Sequence, residues 1–377
     1  MSSATPQAAS ASGANNESER VVPGATRKLT PNNFDLIRLF AASEVALKHM
    51  LLHLELGAGW VERLSILPGV PIFFFVSGLL IFQSYRNSGD LGTFAMNRIY
   101  RLFPGLLLCL LVGILLAAAL GALTVDEMLS PTFAIWVIAQ STIGQFFNPE
   151  FLRDFGVGVL NGSLWTVSVE IQFYIATPII ALLVLRWPIL WAVGLVTSIL
   201  FNIALGAMAP DTIGAKLLMV TFLPWIYMFI GGAWLSTRRD IIDRLVALSW
   251  LQVLAIFAGS IAISWLIDVP FTGNDIGPIA FIGVVVVVMK AAYARPTLSD
   301  SLLRRNDLSY GIYIYHMLFV NAAVEMGWIG TGWGLAAVIL ATVGAAAVSW
   351  FFFEKKALAM KRKSIRRVDP REPKAHW

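Results

Sequence analysis

The sequence predicts an all-α polytopic membrane protein with about ten transmembrane helices and one short re-entrant or interfacial segment. Three observations predict it. Hydrophobic residues make up 57% of the 377 positions and charged residues only 14%, a balance that no soluble core-and-surface division accommodates. Apolar runs of about 20 residues, long enough to cross a bilayer as a helix, recur from Asn33 to Phe353. The basic residues gather in short loops and in the tail, where membrane proteins retain them on the cytoplasmic side. That placement explains a net charge of +5 without nucleic acid as a partner. The single cysteine, Cys109, lies inside an apolar run and has no partner for an internal disulfide.

The chain divides at its composition shifts. Residues 1–30 are Ala-, Ser-, Asn- and Gly-rich and are expected to form a disordered cytoplasmic tail, not a signal peptide. Residues 31–356 form the membrane domain, and residues 357–377 a basic cytoplasmic tail. Within the membrane domain, candidate spans run Asn33–Leu54, Ser65–Tyr85, Pro104–Leu123, Phe133–Phe147, Ser163–Leu185, Pro188–Gly206, Leu217–Leu235, Ser249–Ile267, Ile276–Tyr293, Ser309–Met326 and Trp333–Phe353. Charge parity tests this series. The loop Arg86–Arg101 and those holding Arg238, Arg239, Arg244, Arg295, Arg304 and Arg305 read as internal, and the acidic loops at Asp126–Glu127 and Asp268–Asp275 as external. An odd number of crossings is then required between Asp126 and Arg238, where four candidates lie. Phe133–Phe147, the shortest, is therefore assigned as re-entrant or interfacial. Both termini are expected to be cytoplasmic, in a multi-pass protein of the inner or plasma membrane.

Ionisable side chains are costly inside a membrane helix and mark functional candidates. The first span carries Asp35, Arg38, Glu44, Lys48, His49 and His53. Arg38 and His49 are eleven positions apart, which brings both to one helix face, separated by about 16 Å along the axis with Arg38 nearer the cytoplasm. Asp35 with Arg38 and Glu44 with Lys48 also stand at ion-pair spacing, a purely structural alternative. His49 and His53 have the spacing of a zinc pair but no third ligand nearby, so no metal is expected. Imidazole is the side chain best matched to taking a hydroxyl proton near neutral pH, and only His49, His53 and His316 precede the tail. His316 follows Tyr310 and Tyr313 in a band that also suits an aromatic belt.

Glu170 sits in an otherwise apolar span and must be paired, protonated or turned to a cavity. In the same span, Trp165 suits either stacking on a sugar ring or anchoring at the headgroups, and Tyr174 lies one turn beyond Glu170. Arg98 and Arg101, three apart just before Pro104, can fork onto phosphates or serve as ordinary positive-inside flanks.

In this order the segments resemble the membrane acyltransferase-3 family. Phe34-Asp35-Leu36-Ile37-Arg38 through His49 is similar to its first-helix signature. Gly69-Val70-Pro71 through Ser77-Gly78, the Arg98 and Arg101 pair, Ser163-Leu164-Trp165 through Glu170 to Phe173-Tyr174, Ser309-Tyr310-Gly311-Ile312-Tyr313 before His316, and Ser349-Trp350 with Glu354 follow. The resemblance implies transfer of an acyl group, acetyl in the usual case, from cytoplasmic acyl-CoA to a hydroxyl of a carbohydrate or glycolipid across the membrane. Acyl-CoA would be a co-substrate, with no tightly bound cofactor. By the same resemblance Arg98 and Arg101 would hold the donor's phosphates, His49 with Arg38 and Glu170 would carry the chemistry, and Trp165, Tyr174, Tyr310, Tyr313 and His316 would contact substrate. Ile171 after Glu170 and the extra charges Glu44 and Lys48 depart from the family pattern, and the hydrolase-like domain of some relatives is not expected. A transporter is the alternative from another class, since intramembrane charge also marks substrate paths, but no internal repeat supports it. A scaffold would have no use for such charges.

Overall fold

Where a carboxylate, hydroxyl or proline stands at the edge of an apolar run, the backbone turns into helix, and the succession of such signals sets the architecture. A computed structural model describes residues 32–57, 59–209 and 212–360; the expected tail 1–30 lies outside them, as does the expected tail 357–377 beyond its first four residues, which are helical. The described residues form helices α1 (Phe34–His53), α2 (Gly69–Asn87), α3 (Leu91–Ala119), α4 (Val125–Met128), α5 (Pro131–Gln140), α6 (Trp165–Arg186), α7 (Ile189–Ala207), α8 (Ile213–Met219), α9 (Ile226–Ser236), α10 (Arg239–Ala247), α11 (Trp250–Leu266), α12 (Pro278–Ala294), α13 (Leu298–Leu303), α14 (Ser309–Glu325) and α15 (Gly332–Val348). A π-helical turn, Ser349–Glu354, extends α15. No strand occurs among the described residues.

Two expected boundaries are corrected. The span expected from Pro104 starts at Leu91 instead, because the Asp90 carboxylate accepts the Thr93 N–H at 2.8 Å and caps a helix that Pro104 does not end. At 29 residues α3 is about 43 Å long, roughly 13 Å more than the hydrocarbon layer. Arg98 and Arg101 therefore project from a helical turn and not from a loop. The span expected over Leu217–Leu235 is broken into α8 and α9 by the stretch containing Pro224. Gln172 of α6 bridges the break: its amide donates to the Val220 carbonyl at 2.8 Å and accepts from the Phe222 N–H at 3.0 Å. A side chain thus supplies the partners that the interrupted helix lacks.

Among the described residues five helices are long and apolar enough to cross a membrane, and a sixth arises if α10 and α11, bent by 104°, count as one span. α1 has the length but also Asp35, Arg38, Glu44 and Lys48, and α12 and α14 have 17 residues each. Exposed Leu107, Leu111 and Leu115 line up at i, i+4 and i+8 along α3, an apolar stripe suited to lipid contact. The chain is a membrane protein.

The core packs α1 against α14 and α2, and α2 against α9 and α6. Glycine makes the α2–α9 contact possible: a Cβ on Gly78 would fall on the Phe229 carbonyl, and one on Gly232 on that of Phe75. The bundle's two ends are tied by different loops. At one end Asn33 donates from its backbone to the Ala292 carbonyl at 2.8 Å and accepts from Ser299 N–H at 3.0 Å. At the other, the Gly273 N–H reaches the Ser65 carbonyl at 3.1 Å, and the Gly330 N–H that of Leu54 at 2.8 Å.

Candidate active site

The first helix places its charges by turning each toward a different neighbour. Arg38 does not pair with Asp35, nor Glu44 with Lys48. The Arg38 guanidinium donates to Asp307 Oδ2 at 2.9 Å, Glu44 accepts the Gly69 N–H at 2.8 Å, and Lys48 donates to Ser65 Oγ at 2.6 Å. The helical ion-pair alternative is thereby corrected, because partners from α2 and from the loops on either side lie closer than the next turn of α1.

Asp307, which the sequence reading passed over, organises the Arg38 end. Its Oδ2 also takes the Arg101 guanidinium, while Oδ1 accepts both the Ser309 N–H at 3.0 Å and the Ser309 hydroxyl at 2.5 Å. Burial alone would raise this carboxyl, but the guanidinium groups of Arg101 and Arg38 and the Ser309 hydrogen bonds outweigh it and hold Asp307 well below the usual carboxylate range. The signal was present in the sequence: an Asp two residues before Ser309, at the start of α14, is the spacing of a side chain closing a local turn. Arg101 also lies over the Trp350 ring, 5.8 Å from its centroid.

Arg98, one turn back on α3, is directed elsewhere. It donates to Ser84 Oγ at 3.2 Å and lies between the Phe94 and Tyr174 rings, at 5.9 and 5.7 Å. Its buried Nε has no hydrogen-bond partner. The Tyr174 hydroxyl donates to Glu170 at 2.6 Å, so Arg98, Tyr174 and Glu170 form a second polar group beside the first.

At the other end of α1, His49 Nδ1 stands 2.8 Å from His316 Nε2, and His316 Nδ1 stands 2.6 Å from the Tyr313 carbonyl. A carbonyl oxygen only accepts, so His316 carries its proton on Nδ1 and leaves Nε2 bare. That bare nitrogen accepts the His49 Nδ1–H. The remaining nitrogen of His49, Nε2, is left as a lone pair. His316 is fully buried, and the two rings, with centroids 5.1 Å apart and planes 21° apart, lie edge to edge along this hydrogen bond. The His53 ring is 6.0 Å from that of His49. Tyr313 joins the α14 and α6 sides through a 2.6 Å hydrogen bond with Thr166. Tyr310 is bound to the Leu102 carbonyl at 3.0 Å.

Two cavities follow the face of α1. One, about 30 Å³, is lined by Arg38, Ser77, Glu170 and Tyr310 with apolar Val70, Phe73 and Phe74. The other, about 50 Å³, is lined by Glu44, Lys48, His49, Ser65 and Trp165. Val70 and Tyr313 border both, so they meet end to end. Each has room for water molecules only. Of the ten residues singled out, Arg38, Glu170, Tyr310, Tyr313, His49 and Trp165 line these cavities. Tyr174 and His316 stand behind them, bound to the lining residues Glu170 and His49, while Arg98 and Arg101 are one residue further back, touching Tyr174 and Asp307. Among the described residues no group of three His, Cys, Asp or Glu side chains has a metal-holding arrangement. Cys109 is buried and donates to the Ile314 carbonyl at 3.1 Å.

Nodulation protein 10 of Rhizobium leguminosarum bv. viciae is 31% identical over 364 residues, covering 89% of this chain and 95% of that protein. The exopolysaccharide production protein ExoZ of Rhizobium meliloti is 26% identical over 288 residues, 73% of this chain and 83% of its own. The peptidoglycan O-acetyltransferase OatA of Listeria monocytogenes is 26% identical over 168 residues, 43% of this chain but only 26% of that longer protein. No solved structure matches. The acyltransferase-3 family, described as an acyltransferase domain, matches residues 32–354, nearly every residue between the two tails. The chain therefore belongs to the acyltransferase-3 family and is a membrane acyltransferase.

Proposed function

We propose that the chain moves an acyl group, acetyl in the simplest case, from cytoplasmic acyl-CoA to a hydroxyl of a carbohydrate or glycolipid on the opposite side of the membrane. The observation that carries this reading is the pair of neighbouring cavities, with Arg38 lining one and a histidine of fixed tautomer lining the other. The relatives support the acceptor class: one is named for peptidoglycan O-acetylation and another for exopolysaccharide production.

The ten-crossing topology belongs to the same proposal. Its spans are α1, α2, α3, α6, α7, the α8–α9 pair, α11, α12, α14 and α15. In favour, the end tied by Asn33, Ala292 and Ser299 is the one expected inside, and the end tied by Ser65 and Gly273 is the one expected outside. α5, with ten residues, is about 15 Å long, half the hydrocarbon layer. Gln140 at its end donates to the Gln145 and Phe147 carbonyls at 3.2 and 3.1 Å, which suits a segment that dips in and turns back.

Arg98, with an unpartnered Nε, and Arg101, released in part from Asp307, would hold the donor's phosphates. The extended donor arm would lie in the apolar cavity past Arg38 and Glu170, with its thioester carbonyl next to Tyr313. His49 Nε2 takes the proton of the acceptor hydroxyl as its oxygen attacks that carbonyl. The C–S bond then breaks, and the thiolate of coenzyme A takes up the proton. No resident cofactor or metal is needed for this sequence; the donor is a co-substrate.

The test is acyl transfer from labelled acetyl-CoA by membranes containing His49→Ala. Transfer falls by about 10²–10⁴-fold, the usual contribution of a positioned base, while the protein stays inserted and folded. Unchanged transfer removes His49 from the chemistry. Wild-type membranes that move a glycan across but leave it unlabelled favour the transporter alternative.

A further inference from the structure

We propose that the cavity beside His49 is the acceptor subsite and that it takes an uncharged sugar ring, held by Glu44 and Lys48 with Trp165 as its wall and Asn274 at its mouth. The inference rests on the acyl-transfer reading above and specifies its acceptor.

Three observations carry it. First, Glu44 and Lys48 are charged groups on a membrane helix that are not paired with each other, although they stand one turn apart. Glu44 accepts from the first N–H of α2 and from the Ser65 hydroxyl, and Lys48 donates to that same buried hydroxyl. A carboxylate accepts at about four sites and an ammonium donates three times. Both therefore retain hydrogen-bonding capacity on the cavity they line. Second, their charges cancel. The titratable groups lining this cavity are one carboxylate, one ammonium, the His49 imidazole and the Tyr313 phenol, whose hydroxyl is bound to Thr166. An acidic sugar would bring a carboxylate with no cation left to neutralise it, whereas hydroxyls that both donate and accept match the balance of Glu44 and Lys48. Third, Trp165 is half-buried against Trp225, with ring centroids 5.4 Å apart, and borders the cavity. A rigid indole backed by a second indole is a platform for the apolar face of a sugar ring. Asn274 is exposed on the loop expected outside the membrane, where an acceptor would enter. His49 lines the same cavity, so a ring seated here, once the cavity widens beyond the water it now holds, places a hydroxyl beside the proposed base.

The experiment uses membranes bearing the full chain, radiolabelled acetyl-CoA and glycan extracted from the envelope of the cell that makes the protein. Labelled product is cut under conditions that keep esters, and the fragments are separated by charge. The expected label is on an uncharged residue. In Lys48→Gln, Trp165→Phe and Asn274→Ala the KM for glycan rises about tenfold, the equivalent of one lost contact, while the KM for acetyl-CoA stays within about twofold. Asn274→Ala, at an exposed loop position, keeps the test informative if a buried variant fails to fold. Label confined to acidic residues overturns the uncharged-sugar assignment, and an unchanged glycan KM in all three variants overturns the subsite. Wild-type membranes that label no glycan at all sink the acyl-transfer reading itself, a result distinct from either.

Discussion

Replacing His316 tests whether the second histidine works through the first. In the structure its Nε2 accepts the His49 Nδ1–H at 2.8 Å while its own Nδ1–H is fixed by the Tyr313 carbonyl. A buried hydrogen bond contributes about 1 kcal/mol net, which favours the productive His49 tautomer roughly fivefold. His316→Ala lets that preference fall to about even, a loss of roughly twofold, and lets the ring occupy either side of its two-fold torsion, about twofold more. Broadening of the remaining well brings the expected loss in kcat to about tenfold, equivalent to ~1.4 kcal/mol. That is well short of the loss from removing the base itself. Glutamine at this position reaches the depth of Nε2 and offers an amide oxygen to the His49 N–H, whereas asparagine reaches only the depth of Nδ1. The expected order of kcat per folded molecule is therefore wild type, H316Q, H316N close to H316A, and H49A last, with the KM for acetyl-CoA nearly constant. The assay is initial-rate transfer in detergent or proteoliposomes, normalised to folded protein by size-exclusion. Wild-type rates in H316A would refute the positioning role. An H316Q variant as inactive as H49A would show that His316 performs a step of its own.

Two further substitutions probe the frame around the site. Asp307→Asn strands two guanidinium groups around a side chain that is 9% exposed, and the folded state should lose about 3–5 kcal/mol, read as a lower unfolding temperature. Because the folded Asp307 carboxyl is depressed below its unfolded value, its contribution is complete above about pH 5 and fades as the pH falls through the acid range. The variant should lack that part of the acid sensitivity, and an identical pH–stability curve would refute it. Gly232→Ala or Gly78→Ala puts a methyl group against backbone across the α2–α9 contact, where neither side yields. A loss of about 1–3 kcal/mol in thermal unfolding is expected, and an unaltered melting curve would mean the two helices are not in that contact.

Much of the site was legible because helix periodicity is local. The rotation from Arg38 to His49 needs only the count between them, and both residues do line cavities along one side of α1. The isolated carboxylate of Glu170 was equally visible, since an apolar helix gives no local reason for it. What stayed hidden depends on contacts between distant segments. Ion pairing read from spacing offers Asp35 as a structural alternative partner for Arg38, but the true partner is 269 positions away. His316 was grouped with the substrate contacts because nothing in the chain reveals that α14 packs on α1. The start of α3 is hidden when a proline is read as a boundary, because the Asp90 cap fourteen residues before Pro104 decides it.

These misses share one physical cause, which also bears on mechanism. In water an unpaired charge is cheap, so neighbours on the same helix often suffice; in lipid each ionisable group needs a partner, wherever in the chain that partner lies. α1 accordingly reaches the loop before α14 through Arg38, the first turn of α2 through Glu44, the loop before α2 through Lys48 and the middle of α14 through His49. A helix tied in this way cannot shift against one neighbour without loosening its bonds to the others. The cavities as they stand admit only water, so seating a donor arm requires α1, α2 and α14 to part near Val70 and Tyr313. If the donor's phosphates bind as proposed, the bond exchanged would be Arg101 to Asp307, because a phosphate would offer Arg101 an equivalent anion while Arg38 keeps the carboxylate neutralised. Donor binding would then open the passage at the point where the two cavities meet, and the histidine pair, held by α1 and α14 alone, would feel it.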